Sequence, residues 1–452
     1  MFENHSDEPI YNVKAISRQT GVAAATLRAW ERRYGVPSPP RTDSGYRLYS
    51  ARDVAIVRWL KLQIENGMSI SQAVHLLRSL EAQSADGQAA GPAGERGQSD
   101  APSSYQRLHD EIVAAAIEFD EGRIEYALGE AFSLFPVEDV CLNLIQRVLV
   151  TLGDKWHVGE INVGVEHFAT NIMRRRLLAL MAASPPVSRE GRIVSGCAPG
   201  EYHELGILML SLFLRRRGHE VIYLGQNIAA MRFQEMLSKA RPDLLLLSAS
   251  GLVAAANLLE VAEELSLHSA QLGTLIAFGG RIFNRVPELR RHVPGIYVGE
   301  DAQAATNRIV RLLADKAVEV MPEVSRIPTG AERLEALATL RRHGPEIVAV
   351  ATRLIQHHAE DALAHRHLLQ ANENLLQFVD AALRFGEPSI LGDRANWLWD
   401  ALPPDGITSL QLQRSAQALA EAAESVLPSS QLAQLQPYFQ EMQSAFIQHG
   451  PA

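Results

Sequence analysis

The sequence has 452 residues, a length that suits roughly three or four compact units. Hydrophobic residues make up 47% and charged residues 21%, the balance of an ordinary soluble protein. A formal net charge of −9 excludes a chain that coats nucleic acid along its whole length, while leaving room for one basic domain. The two cysteines, Cys141 and Cys197, form no CxxC pair. This argues against a disulfide framework or a cysteine-held zinc and fits a reducing cytoplasm. The polar, acidic start MFENHSDEPIYN is not a signal peptide. No apolar run approaches the ~20 residues a bilayer span needs, so no membrane is expected as a partner.

Residues 1–81 read as a basic helical head. Between 12 and 61, ten Lys and Arg side chains face only Glu31, Asp43 and Asp53, the charge pattern expected of phosphate contact. Val13, Ala15 and Ile16 start a helix, Thr20-Gly21-Val22 makes a turn, and a second helix runs from Ala25 to Tyr34. Thr26, Arg28 and Arg32 would then face a major groove. Pro37 to Pro40 forbid further helix. Asp43 to Arg47 predicts a tight turn, a β-wing with Arg41, Tyr46 and Arg47 over the backbone, and Asp53 begins another helix. Trp30 and Tyr34 read as packing residues. The stretches Leu27 to Gly35 and Gly45 to Tyr49 resemble the MerR family of winged-helix regulators. The resemblance implies double-stranded promoter DNA as partner and RNA polymerase at that promoter as a further one.

Residues 82–104, rich in Gly, Ala, Ser, Gln and Pro, predict a flexible linker because they lack apolar surface to offset ordering. Residues 105–188 carry helical apolar spacing (Ile112, Ala115, Ala116, Phe119) and predict a helical bundle. In 189–318 the rhythm changes. Short apolar runs (RIVSGCA, EVIYLG, PDLLLLSAS, GTLIAFGG, GIYVG) alternate with amphipathic stretches, predicting β-α-β units on a parallel, Rossmann-like or flavodoxin-like sheet.

After the first of those strands comes Gly200-Glu201-Tyr202-His203-Glu204-Leu205-Gly206. It lies at the carboxyl end of a strand, where open α/β sheets bind ligands. A loop histidine offers a ring nitrogen to a metal, and a carboxylate two residues earlier can hold the other nitrogen. Gly206 would let a ligand tail pass near the backbone. Alone, the pattern also suits a surface histidine. The segment resembles cobalamin-binding domains with a DxHxxG or ExHxxG motif. The resemblance implies His203 as lower axial ligand of cobalt, with Glu201 in place of the commoner Asp. Ser248 and Ser250, and the pair Gly279-Gly280, would lie near the cofactor's nucleotide tail.

In the bundle, Lys155-Trp156-His157 and Glu166-His167 stand ten residues apart. Read from spacing alone, Trp156 is better taken as a core aromatic and Glu166 as a solvated charge. Together with the downstream motif they resemble CarH-type light-sensing regulators that use adenosylcobalamin. That resemblance implies Trp156 over the upper face of the cofactor, Glu166 on its adenosyl group, His157 as a cobalt ligand after light, and His167 nearby. It also implies a homo-oligomer whose state and promoter affinity change with light. The alternatives are a regulator that senses cobalamin level, or a bilin or haem, as a chemical signal, and a corrinoid-dependent enzyme subunit. The DNA-binding head disfavours the enzyme.

Residues 330–452 return to an all-α pattern. His343, His357, His358, His365, His367 and the cluster Trp397–Trp399 suit a packing or dimerisation module with surface histidines, or a haem or tetrapyrrole site. Phe385 to Ser389 with Trp397–Trp399 resembles helical modules of cobalamin photoreceptors that also bind a bilin such as biliverdin.

Overall fold

The computed structural model describes residues 8–22, 26–27, 30–31, 36–37, 39–40, 47–65, 74, 77, 101–228, 233–315, 331–356, 362–392 and 408–448. The chain divides into two compact units, 1–100 and 101–452.

In the first unit, β1 (Tyr11–Asn12) leads into α1 (Val13–Thr20), and β2 (Leu48–Tyr49) into α2 (Ala51–Glu65). The Asn12 side chain caps α1 by accepting from Ala15 N at 3.0 Å, and Gly21 ends it in the left-handed conformation, φ 69°. Leu48, expected in one arm of a wing, donates its N to Pro40 O at 3.1 Å across that turn, and Leu48–Tyr49 also pairs antiparallel with β1, Tyr11 opposite Tyr49. A two-residue strand is too short to show its period in sequence. Ile16, Leu27, Tyr49, Val57 and Leu60 form the core, with Trp30 buried among them as a packing residue.

The second unit opens with α3 (Ala101–Ile117), which starts inside the segment read as linker. Pro102 does not prevent this, since the first helical turn tolerates a missing N–H. Then come α4 (Glu121–Leu134), α5 (Val137–Val140), a π-helical turn (Cys141–Ile145), α6 (Gln146–His157) and α7 (Val163–Ala182). Asp120 and Asn162 cap α4 and α7 through Arg123 N and Val165 N.

The α/β region follows in the order β3 (Arg192–Cys197), α8 (Leu205–Arg216), β4 (Glu220–Tyr223), α9 (Phe233–Ala240), β5 (Leu244–Ser248), α10 (Leu252–Leu272), β6 (Leu275–Gly279), α11 (Arg281–Arg285), β7 (Ile296–Tyr297) and α12 (Ala302–Asp315). The five strands pair in parallel in the order β4-β3-β5-β6-β7. This is the flavodoxin-like order, with its switch point between β3 and β5. Leu244 and Leu246 join the core on one face, with the α3–α7 bundle, α8 and α12. Leu245 and Leu247 join the other. Burial on both faces explains an uninterrupted run of leucines.

The second face is covered by α9, α10 and a helical C-terminal region: α13 (Ala331–Ile355), α14 (Ala362–Phe385), α15 (Ser409–Val426) and α16 (Ser429–Gln448). A capping box between Thr408 and Gln411 starts α15. Core residues run without a break from Leu247 through Leu258 and Ala262 to Leu375, Val379 and Phe439. His357, His358 and Trp397–Trp399 lie outside the described residues. No helix among the described residues is long and apolar enough to cross a membrane.

Candidate cofactor site

Parallel register sets Cys197, Ser248 and Gly279 side by side at the carboxyl ends of β3, β5 and β6. The three sequence motifs after those strands therefore open on one edge, beside the switch point. Gly280 has φ +116°, and a Cβ there would lie 2.0 Å from Ala249 O. Only glycine fits, whatever ligand lies above it.

The loop between β3 and α8 is gripped from two sides. Asn227 Oδ1 accepts from Gly200 N at 2.8 Å, its Nδ2 donates to Tyr202 OH at 3.1 Å, and its backbone N donates to Glu201 O at 2.8 Å. On the other side Asn257 Nδ2 donates to Pro199 O at 2.8 Å. Gly200 adopts φ +77°, which glycine permits at low cost.

Inside this loop Glu201 is 2% exposed, while the His203 ring is 77% exposed. Glu201 Oε1 accepts from His203 N at 2.8 Å and stands 2.7 Å from His203 Nδ1. Its Oε2 accepts from Ser250 Oγ at 2.6 Å and from Ser250 N. Ser250 Oγ also lies 3.0 Å from His203 Nδ1. Burial pushes the Glu201 carboxyl up, but the bonds from His203 and Ser250 outweigh it and hold it down to about 2. It is therefore a carboxylate at neutral pH.

The hydrogen bond to Glu201 raises His203 above its ordinary value, against burial; Arg281 lowers it and Glu166 raises it electrostatically. A proton on Nδ1 satisfies both Glu201 and Ser250, which assigns the Nε2 lone pair to the outside. Nε2 has no hydrogen-bond partner among the described residues. Ser250, expected near a nucleotide tail, thus turns back onto the carboxylate. Ser248 is half-buried at the end of β5.

No group of three or more His, Cys, Asp or Glu gathers for a metal among the described residues. His203 offers a single nitrogen, which would suit a metal ion whose other ligands a macrocycle supplies. Two observations fit such a group. A Cβ at Gly206 would meet nothing within 4 Å, so the space beside the first turn of α8 is open. Trp156 Nε1 is buried without a hydrogen-bond partner, and buried donors of that kind are uncommon unless a ligand or water serves them.

Trp156 and His157 form the last turn of α6, both half-buried. Glu166 lies in the first turn of α7, where its Oε1 accepts from Thr170 Oγ1 at 2.7 Å and its Oε2 meets His167 Nδ1 at 2.6 Å. Its influence on His203 places Glu166 and the loop histidine in one electrostatic neighbourhood.

Sequence reasoning missed the polar residues behind the loop. Glu204 is buried; it accepts from Arg174 Nε of α7 and from Tyr223 OH of β4 at 2.5 Å. Glu204 was visible in the motif, but its partners carry no signal of their own.

In the head, Thr26 is half-buried. Arg47, expected on DNA, donates through Nε to Glu31 at 2.7 Å, which holds one edge of its guanidinium within the head. Arg28, Arg32, Arg41 and Tyr46 lie outside the described residues.

A family profile described as "MerR HTH family regulatory protein" matches residues 11–80. Two profiles, each described as "B12 binding domain", match 108–181 and 191–309. The chain is 34% identical over 241 residues to the HTH-type transcriptional repressor CarH of Myxococcus xanthus, covering 53% of this chain and 79% of that one. It is 32% identical over 238 residues to the repressor CarA of the same organism, covering 52% and 75%. A solved monomethylamine corrinoid protein of Methanosarcina barkeri aligns with a TM-score of 0.40 at 18% identity, over 47% of this chain and 99% of that one.

Proposed function

We propose, for a chain that belongs to the CarH/CarA family of MerR-type transcription regulators with B12-binding domains, that it is a light-responsive regulator holding adenosylcobalamin. The observation that carries the reading is the outward Nε2 of His203, backed by Glu201 and Ser250. Glu201 and Ser250 orient the ring and keep Nδ1 protonated, which raises the basicity of Nε2 toward cobalt. Bound adenosylcobalamin supplies a cobalt–carbon bond that visible light breaks.

In this reading Trp156 would cover the cofactor from the bundle side, Glu166 would contact its adenosyl group, and His157, with His167 beside it, would be a further nitrogen able to hold cobalt. Gly206 would leave backbone room for the nucleotide tail, with Gly279, Gly280 and Ser248 beside it. Residues 82–100, Gly- and Ala-rich by composition, would tether each head, and in this reading the heads act by number. Assembly of several copies then multiplies their grip on promoter DNA, in competition with RNA polymerase. Light acts through such assembly only if the cofactor's two states favour different oligomers. This is a regulator rather than an enzyme.

The test uses the full chain loaded with adenosylcobalamin in the dark, then exposed to green light. Elution volume and DNA affinity are expected to change together, and His203→Ala is expected to lose the histidine-ligated cobalamin spectrum. DNA binding that follows cofactor concentration but ignores light would support a chemical sensor instead. Methyl transfer by the purified protein would overturn the regulator reading.

A further inference from the structure

The loop that carries His203 is also tied to the C-terminal helices. Pro199 O, just upstream of His203, accepts from Asn257 Nδ2 at 2.8 Å. Asn257 lies in the early turns of α10, and its Oδ1 accepts from Arg384 Nη1 at 2.7 Å. Arg384 stands at the end of α14 and is 17% exposed. Its Nη2 meets Asp380 Oδ2 at 2.6 Å, and Nη1 also lies 3.1 Å from Glu260 Oε2.

The hydrogen bonds run continuously from a C-terminal helix through α10 into the loop. Asn257 cannot flip without losing both partners, because one side must donate and the other accept. The guanidinium polarises the amide, which strengthens its bond to Pro199. The geometry is held by packing: α10 and α14 share one core, with Leu258, Ala262, Leu375, Ala382 and Phe385 all buried in it. A second tie, Arg291 Nη2 to Glu387 Oε2 at 2.7 Å, joins the same two regions.

We infer that Arg384, acting through Asn257, is a positioning residue for the loop that presents His203, so the C-terminal helices are a working part of the cofactor site. The inference rests on the cobalamin reading of His203. It gives residues 331–448 a role beyond packing: an event that moves α14 changes cofactor affinity, and cofactor binding changes that event by the same factor.

The test compares full-length wild type, Arg384→Met, Arg384→Lys and Asn257→Asp, with hydroxocobalamin as the probe. Hydrogen exchange of the amides from 200 to 204 is read on each protein without cofactor. Asn257→Asp keeps an acceptor for Arg384 but sets a carboxylate against Pro199 O. Arg384→Met and Asn257→Asp are expected to weaken hydroxocobalamin binding by about tenfold, as loss of a supporting partner does at metal sites. They are also expected to speed exchange in the loop. Arg384→Lys should recover most of both effects, and Arg384→Met combined with Asn257→Asp should be no worse than Asn257→Asp alone.

Wild-type affinity, spectrum and loop exchange in Arg384→Met would overturn the inference, even if its melting temperature falls. Should Arg384→Met fail to fold, Arg384→Lys and Asn257→Asp decide by the same readouts. A wild type that does not bind hydroxocobalamin would sink the cofactor reading instead, and loop exchange in the cofactor-free proteins still decides the coupling.

Discussion

The two faces of the central sheet are each covered by helices, yet they reach the cofactor loop in different ways. The α3–α7 side brings a cation to a buried acid: Arg174 meets Glu204, which also holds Tyr223. The C-terminal side works through a neutral amide, Asn257, set between Arg384 and Pro199. The first tie fixes where the loop becomes α8; the second fixes where it leaves β3. The histidine between them is therefore bounded by ties to elements far apart in sequence.

The comparison breaks if the C-terminal helices melt separately. Leu177 and Leu375 are fully buried on opposite sides of the sheet. Leu177→Ala and Leu375→Ala should each cost about 2–5 kcal/mol. Because the sheet joins both cores, calorimetry should show each variant lowering one shared transition of residues 101–452. An early, separate transition in Leu375→Ala alone would make the C-terminal helices a domain apart.

A smaller effect sharpens the contrast between the ties. Arg174→Met leaves the Glu204 carboxylate buried without its cation. It should cost about 2 kcal/mol in urea unfolding, less than a fully buried pair because Arg174 is 40% exposed. Asn257→Ala, which leaves Arg384 paired with Asp380, should cost less, about 1 kcal/mol. Equal losses would remove the distinction.

The smallest effect is pH dependence at the C-terminal side. His292 is buried against Phe385 at 5.9 Å between ring centroids. Burial lowers its pKa, the neighbouring Arg291 and Arg333 lower it further, and Glu387 opposes them. A histidine depressed in the folded state takes up a proton on unfolding. Its contribution is whole above the ordinary value and is lost as pH falls below about 6.5, by up to about 1.4 kcal/mol per pH unit. His219, just past the end of α8 and lowered by burial, acts in the same direction. His292→Gln should flatten the slope of stability between neutral and mildly acidic pH; an unchanged slope would assign the effect to His219.

Much of the fold was readable from residue pattern. The five apolar runs each became a strand, because burial on both faces leaves a run such as Leu244–Leu247 with no polar interruption. Glu201 and His203 were readable because a carboxylate and an imidazole two residues apart on one loop can only meet locally. The start of α3 at Ala101 and the pairing of Leu48–Tyr49 with Tyr11–Asn12 were not. Helix ends are weakly specified, and so short a strand has no measurable period. Asn257 and Arg384 were invisible for another reason. The partners lie 58 and 127 residues apart, and a polar side chain on a helix looks the same in sequence whether it faces water or a distant carbonyl.

By itself the sequence determined the chemistry at hand: a basic head, a Gly/Ala/Ser-rich segment after it, a parallel sheet, and one histidine with a carboxylate beside it at a strand end. Those follow from local forces, the burial of apolar side chains and the turn preferences of glycine, which act over a few residues. Only the tertiary structure decided that Glu201 is sealed beneath Ser250, that His203 Nε2 points outward, and that C-terminal helices reach the loop. A hydrogen bond requires its partners within about 3 Å, and only packed elements bring groups from distant parts of the chain that close.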